Sequence, residues 1–122
     1  MGRTVLIVED EAALAGLLCD VLQSAGYDVV ITTAGQAEKR SLLLEPAAIV
    51  MDYLMPGMNG VEVISKIRAA MRESAPPIIL VTGLENARDL AEQAGADAYL
   101  RKPFDVEALV QIVDSLAVPS VA

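Results

Sequence analysis

Short runs of consecutive aliphatic residues alternate along this chain with longer stretches in which apolar side chains recur every third or fourth position. The first run, Thr4 to Val8, is β-branched and aliphatic throughout, as expected of a strand buried on both faces. Leu14, Leu17, Leu18, Val21 and Leu22 follow at i, i+3, i+4, i+7 and i+8, and Gly26 supplies a stop, so a core-facing helix is predicted there. A second strand is expected at Tyr27 to Ile31. A helix then runs from Ala34 to Glu45, carries Leu42 to Leu44 and is ended by Pro46.

The third strand, Ala47 to Met51, leads into a single carboxylate at Asp52 and a turn built on Pro56 and Gly57. Asn59 caps a helix whose Val61, Ile64, Ile67 and Met71 share one face. Pro76 and Pro77 interrupt the chain before a fourth strand, Ile78 to Val81. A short helix, Asn86 to Ala94, closes at Gly95, and Ala98 to Leu100 makes a fifth strand. Asp105 caps the last helix, with Val106, Leu109, Ile112, Val113 and Leu116 towards the core, and the tail 117–122 is expected to fray. Five strands alternating with five helices predict a doubly wound α/β fold, a parallel sheet with right-handed crossovers covering both faces. At 122 residues the whole chain, 1–122, is expected to form one domain.

Composition narrows the chemistry. Apolar residues make up 54% of the chain, yet no run approaches the roughly 18 residues that would span a membrane, so the apolar surface must be buried internally. Acids directly after the first short apolar run rule out a secretory signal, and a cytoplasmic location is the default expectation. Seventeen acids against nine bases give a net charge of -8, and basic residues never cluster beyond two in a row; direct binding of nucleic acid by this domain is not expected. The single cysteine, Cys19, lies in an amphipathic helix and reads as a packed thiol. There is no histidine, which removes Ser-His-Asp and Cys-His catalysis and the usual zinc sites.

The polar residues of interest fall at strand ends. In open parallel sheets, ligands bind beyond the carboxyl ends of the strands where strand order reverses. Glu9, Asp10, Asp52, Thr82 and Lys102 all lie at or just past such ends, with Asp52 in the segment Ala47 to Gly60 as the expected chemical centre. Several carboxylates that close repel one another unless a cation is present, and hard oxygen ligands in a shallow acidic cluster suit Mg²⁺. Glu11 reads more simply as a helix-starting acid favoured by the macrodipole. Asp10 taken alone fits either role, and Asp52 at the neighbouring strand end favours metal. Thr82 in isolation is an ordinary strand residue, but Gly83 after it leaves room for a bulky group. Lys102 is either a solvated charge or a partner of Asp52 and of a phosphoryl group carried there, and Lys102-Pro103 is a candidate cis bond.

Together, Glu9-Asp10 after the first strand, Asp52 in MDYLMPGMNG, Thr82 in VTG and Lys102 in KPF resemble the receiver domain of two-component response regulators, over nearly the whole chain and in order. The resemblance implies a flavodoxin-like strand order, 2-1-3-4-5, in a CheY-like single domain. It implies that Asp52 accepts a phosphoryl group from the phosphohistidine of a sensor histidine kinase or histidine phosphotransfer protein. Asp10, Asp52 and the main-chain carbonyl of Leu54 would hold Mg²⁺, Glu9 through water, while Thr82 and Lys102 bind phosphoryl oxygens. Tyr99 on the fifth strand stands where the family carries an aromatic switch, which makes the face of the fourth helix, fifth strand and fifth helix the expected output surface, with Val110 contributing there. Leu54 and Leu84, two residues past the acceptor and the threonine, cannot hydrogen-bond a water, so slow self-dephosphorylation is expected. Glu9 stands where aspartate is commoner in the family.

Three other readings compete. An aspartyl-nucleophile phosphatase would need an acid where Leu54 stands, and a flavodoxin-like nucleotide binder would offer phosphate a Gly/Ser/Thr nest rather than Glu9, Asp10 and Glu11. The third is a receiver-like interaction module that works without phosphorylation. Output is expected through non-covalent partners, unless the chain is a piece of a longer regulator.

Overall fold

The structure is a computed structural model and describes residues 3–117. Strand β1 (Thr4–Val8) is paired in parallel with β2 (Asp28–Thr32) on one side and β3 (Ala48–Asp52) on the other. Strands β6 (Ile78–Thr82) and β7 (Ala98–Arg101) complete the sheet in the order β2-β1-β3-β6-β7. Between β3 and β6 lies a two-residue-a-side antiparallel hairpin, β4 (Leu54–Met55) and β5 (Met58–Asn59), where the sequence indicated only a turn on Pro56 and Gly57. Leaving the hairpin out of the count, the sheet has the expected order 2-1-3-4-5.

The continuous aliphatic runs are the three central strands: Val5 to Val8, Ala48 to Met51 and Ile78 to Val81 are all buried. Alternate side chains of these strands feed two cores, one under α1 (Ala12–Ser24) and α5 (Val106–Leu116), the other under α2 (Ala37–Leu44), α3 (Gly60–Met71) and α4 (Ala87–Ala94). Edge strands β2 and β7 are only partly buried, as edges next to solvent must be.

Helix ends follow local chemistry. Gly26, at φ 99°, lets Tyr27 N–H reach the Leu22 carbonyl (3.1 Å) and Gly26 N–H the Gln23 carbonyl (3.0 Å), a Schellman closure of α1. Asn59 Oδ1 accepts from Glu62 N–H at 3.1 Å and caps α3 as expected. Asp105 does not cap α5 through its side chain; its main-chain carbonyl accepts from Ala108 N–H (3.0 Å) instead. The expected helix Ala34 to Glu45 is split. A single 3-10 turn, Ala34–Gln36, precedes α2, and Glu45, turned left-handed (φ 46°) with its N–H on the Ser41 carbonyl, closes α2 immediately before Pro46.

Several helix faces differ from the sequence reading. Leu17 (51% exposed) and Val106 (39%) stand out of the core, and the inward residues of α1 are Ala15, Leu18 and Leu22. Val110 lines a groove between α1 and α5 with Asp20, Val21, Ser24 and Ala25, so it does not belong to the α4–β7–α5 face. The two helices lie side by side on the same core, and where one ends against the other is not visible in either helix's periodicity. Cys19 is half-buried against the α1/α5 core, a packed thiol. Of the expected frayed tail only Ala117 is described, and it is buried, its carbonyl accepting from Arg3 at 3.3 Å; the remainder, 118–122, lies outside the described residues.

Candidate functional site

β1 and β3 are adjacent, and the sheet order reverses at β1, so their carboxyl ends flank the crevice where such sheets bind ligands. Glu9 and Asp10 follow β1 directly and Asp52 ends β3. Carboxylate oxygens of Glu9, Asp10 and Asp52 all lie within 4.8 Å of one another. The three differ in exposure: Glu9 is buried, Asp10 exposed, and the Asp52 side chain 11% exposed, at the floor of the cluster.

The fourth charge comes from the other side of the sheet centre. Lys102 N–H donates to the Thr82 carbonyl (2.8 Å), which extends the β6–β7 pairing one residue past β7 and carries the lysine inward. Its Nζ stands 3.5 Å from Asp52 Oδ2. The Lys102-Pro103 bond is cis, as the sequence suggested. Thr82 is buried, and its Oγ1 accepts from Leu84 N–H at 3.2 Å, so the hydroxyl is held at the mouth of the loop leading to α4.

Three carboxylates facing one ammonium leave an excess of negative charge. The Glu9 pKa is raised from 4.5 to about 7, chiefly by burial and further by the charge and hydrogen bonding of Asp52, against the lowering pull of Glu11 N–H, which donates to Glu9 Oε2 (3.1 Å), and of Lys102. An all-oxygen, hard donor set with surplus negative charge is what Mg²⁺ requires, and the residues present fit that ion.

The remaining predicted residues fall around this centre. Leu54 (59% exposed) and Leu84 (37% exposed) are surface side chains on the segments that leave Asp52 and Thr82. Tyr99, on β7, is 40% exposed and points away from the core. Glu11 occupies the first cap position of α1, as its reading as a helix-starting acid required.

One residue was missed. Gly60 opens α3 directly behind Asp52: a Cβ there would lie 3.0 Å from Leu80 Cδ1, 3.1 Å from Tyr53 Cα and 3.3 Å from the Asp52 carbonyl oxygen. Its N–H donates to the Tyr53 carbonyl at 2.7 Å, pinning the helix start to the residue that follows Asp52. The signal available in sequence was a glycine immediately after the capping Asn59, where helix-forming residues are otherwise preferred.

The family model for the response regulator receiver domain matches residues 5–114, and the chain belongs to that family, the phospho-accepting modules of two-component signalling. Among curated relatives it is 36% identical over 113 residues to the DNA-binding response regulator MtrA of Mycolicibacterium paratuberculosis, an alignment covering 90% of this chain and 49% of that protein. The chain thus spans about half the length of the curated relatives it matches. A putative response regulator from Chloroflexus aurantiacus superposes with a TM-score of 0.88 at 32% identity, covering 96% of this chain and 98% of that one. The receiver domain of the sensor histidine kinase PA1611 from Pseudomonas aeruginosa, with a magnesium ion coordinated in its active-site cleft, superposes at 0.86 with 31% identity, covering 96% and 98%.

Proposed function

We infer that Asp52 is the phosphoryl acceptor of this receiver domain. The observation that carries the reading is the convergence of a largely buried carboxylate, two further acids within 4.8 Å and an ammonium at 3.5 Å on the crevice of a doubly wound sheet. In the step itself an Asp52 carboxylate oxygen forms the new O–P bond as the N–P bond of a partner's phosphohistidine breaks, and the donor imidazole keeps the electron pair and regains a proton. The chain has no histidine of its own, so this donor belongs to a histidine kinase or phosphotransfer protein.

Asp10, Asp52 and the Leu54 carbonyl would hold Mg²⁺, with Glu9 acting through water. When bound, the ion neutralises charge on the transferred group. Lys102, now paired with Asp52, exchanges that carboxylate for a phosphoryl oxygen, and the Thr82 hydroxyl gives up its bond from Leu84 N–H to donate to another. Drawing Thr82 inward vacates space beside β7 for Tyr99 to turn from its exposed position. The surface of α4, β7 and α5 thereby changes shape and serves as the output face.

The test is the intact mass after incubation with Mg²⁺ and acetyl phosphate, for the wild type and Asp52→Asn. One added phosphoryl group in the wild type alone supports the assignment. No addition to a folded wild type points to a module that works without phosphorylation.

A further inference from the structure

Helix α2 is amphipathic the wrong way round. Its buried residues are Ala37 and Ser41, whose hydroxyl back-bonds to the Ala37 carbonyl at 2.7 Å, whereas Leu42, Leu43 and Leu44 are 49%, 72% and 37% exposed. Single exposed leucines are ordinary on a protein surface. Leu43 and Leu44 line the same outer groove of the helix, whereas Leu42, about 100° round the axis from Leu43, stands on its flank.

The patch has a charge. Gln36, Lys39, Arg40, Leu43 and Leu44 line one shallow groove of about 250 Å³ along the outer side of α2, two turns at the i, i+3, i+4, i+7, i+8 spacing. Arg68, Arg88, Arg101 and Lys102 each lie within ion-pair distance of an acid, whereas Lys39 and Arg40, like Arg3, Lys66 and Arg72, have no such partner among the described residues. The groove's lining thus carries two cations and no carboxylate in a chain of net charge -8, the neighbouring acids Glu38 and Glu45 lying outside that lining.

We propose that the outer face of α2 docks an acidic amphipathic helix of a partner protein, its leucine-type side chains on Leu43 and Leu44 and its carboxylates on Lys39 and Arg40. The length and spacing of the stripe are those of helix-in-groove recognition. Charge selects this occupant over two others. A second copy would bring Lys39 and Arg40 towards their own counterparts while two chains of -8 repel. An anionic membrane surface is held by clusters of roughly four to eight basic residues, and this face has two on a strongly acidic protein. None of the groove's lining residues belongs to the Asp52 cluster, so the proposal stands or falls independently of the acceptor assignment.

The experiment is a nuclear magnetic resonance titration of the ¹⁵N-labelled chain with a synthetic helical peptide of about 16 residues, leucine at i, i+3, i+4 and i+7 and glutamate at most other positions. A matched peptide carrying lysine in place of glutamate is the control. Amide shifts concentrated in residues 36–45 with the acidic peptide only, and an affinity about tenfold weaker for Leu43→Ser and for Lys39→Glu/Arg40→Glu, support the proposal. Shifts mapping to the α1–α5 groove, or equal responses to both peptides, overturn it. So do self-association abolished by Leu43→Ser, which would make the occupant a second copy, and Leu43-dependent sedimentation with phosphatidylserine vesicles, which would make it a membrane. All these positions are exposed, and circular dichroism of each variant verifies that the fold is intact.

Discussion

Replacing Gly60 by alanine sets two physical effects against each other, and the structure says which one wins. Gly60 is the first residue of α3, where alanine is favoured over glycine by up to about 1 kcal/mol on helix propensity and backbone entropy. The added methyl, however, would meet Tyr53 Cα at 3.1 Å, the Asp52 carbonyl at 3.3 Å and the buried Leu80 Cδ1 at 3.0 Å. Two of those neighbours are backbone atoms of Asp52, at the end of β3, and of Tyr53 after it, which cannot yield by rotating a side chain. Overpacking of this kind costs about 1–3 kcal/mol, so the net expectation is a loss of roughly 1–2 kcal/mol. For a domain of this size that lowers Tm by roughly 4–8 °C. Gly16, inside α1, is the control: a Cβ there meets nothing within 4 Å, and Gly16→Ala should raise Tm by a few degrees, from about 0.5–1 kcal/mol. Thermal denaturation followed by circular dichroism compares the two variants with the wild type. In the same samples Gly60→Ala should also phosphorylate more slowly from acetyl phosphate while still folded, because the atoms it displaces carry Asp52. If Gly60→Ala is as stable as Gly16→Ala, the clearance argument is wrong and Gly60 is merely a helix residue.

Leu54→Asn should shorten the lifetime of the phosphorylated form by placing a water-orienting amide beside Asp52; an unchanged decay of the phosphorylated mass would remove the proposed role of this position. For Glu9, a pKa raised from 4.5 to about 7 means that the folded state holds the proton more tightly than the unfolded chain. Its contribution to stability is therefore complete below about pH 4.5 and lost as pH rises through about 7. Urea midpoints between roughly pH 5 and 8 should fall more steeply for the wild type than for Glu9→Gln, and Mg²⁺, which favours the ionised carboxylate, should reduce that difference. Asp97 Oδ2 accepts from both Arg68 Nη2 (3.0 Å) and Ile78 N–H (2.8 Å), tying α3 to the start of β6. The ion pair is partly solvated and its share is discounted, so Asp97→Ala should cost about 1–2 kcal/mol in chemical denaturation, whereas a loss below the error of the measurement would show the tie to be inert.

Much of the site was legible before any tertiary structure was known, for a specific reason. Strands buried on both faces have to be continuous aliphatic runs, so Val5 to Val8, Ala48 to Met51 and Ile78 to Val81 announce themselves, and a parallel sheet puts the residues that follow each run along one edge. Glu9, Asp10, Asp52, Thr82 and Lys102 could thus be assembled from order alone. Features that depend on how one element lies against another could not. Leu17 and Val106 continue the apolar period of their helices, yet both are exposed, and Val110 lines the groove between α1 and α5. The leucines of α2 belong to no inward stripe because the helix rests on its small residues, Ala37 and Ser41. Glu9 is shifted by burial that only the packed loops create, and Gly60 matters because a helix start and a strand end approach to within a methyl's width. The amino-acid sequence by itself determined which side chains stand at the sheet's edge, since strand periodicity is local. Only the tertiary structure decided which of them touch, what they do to one another's protons, and which helix faces remain open, since those follow from distances between segments far apart in the chain.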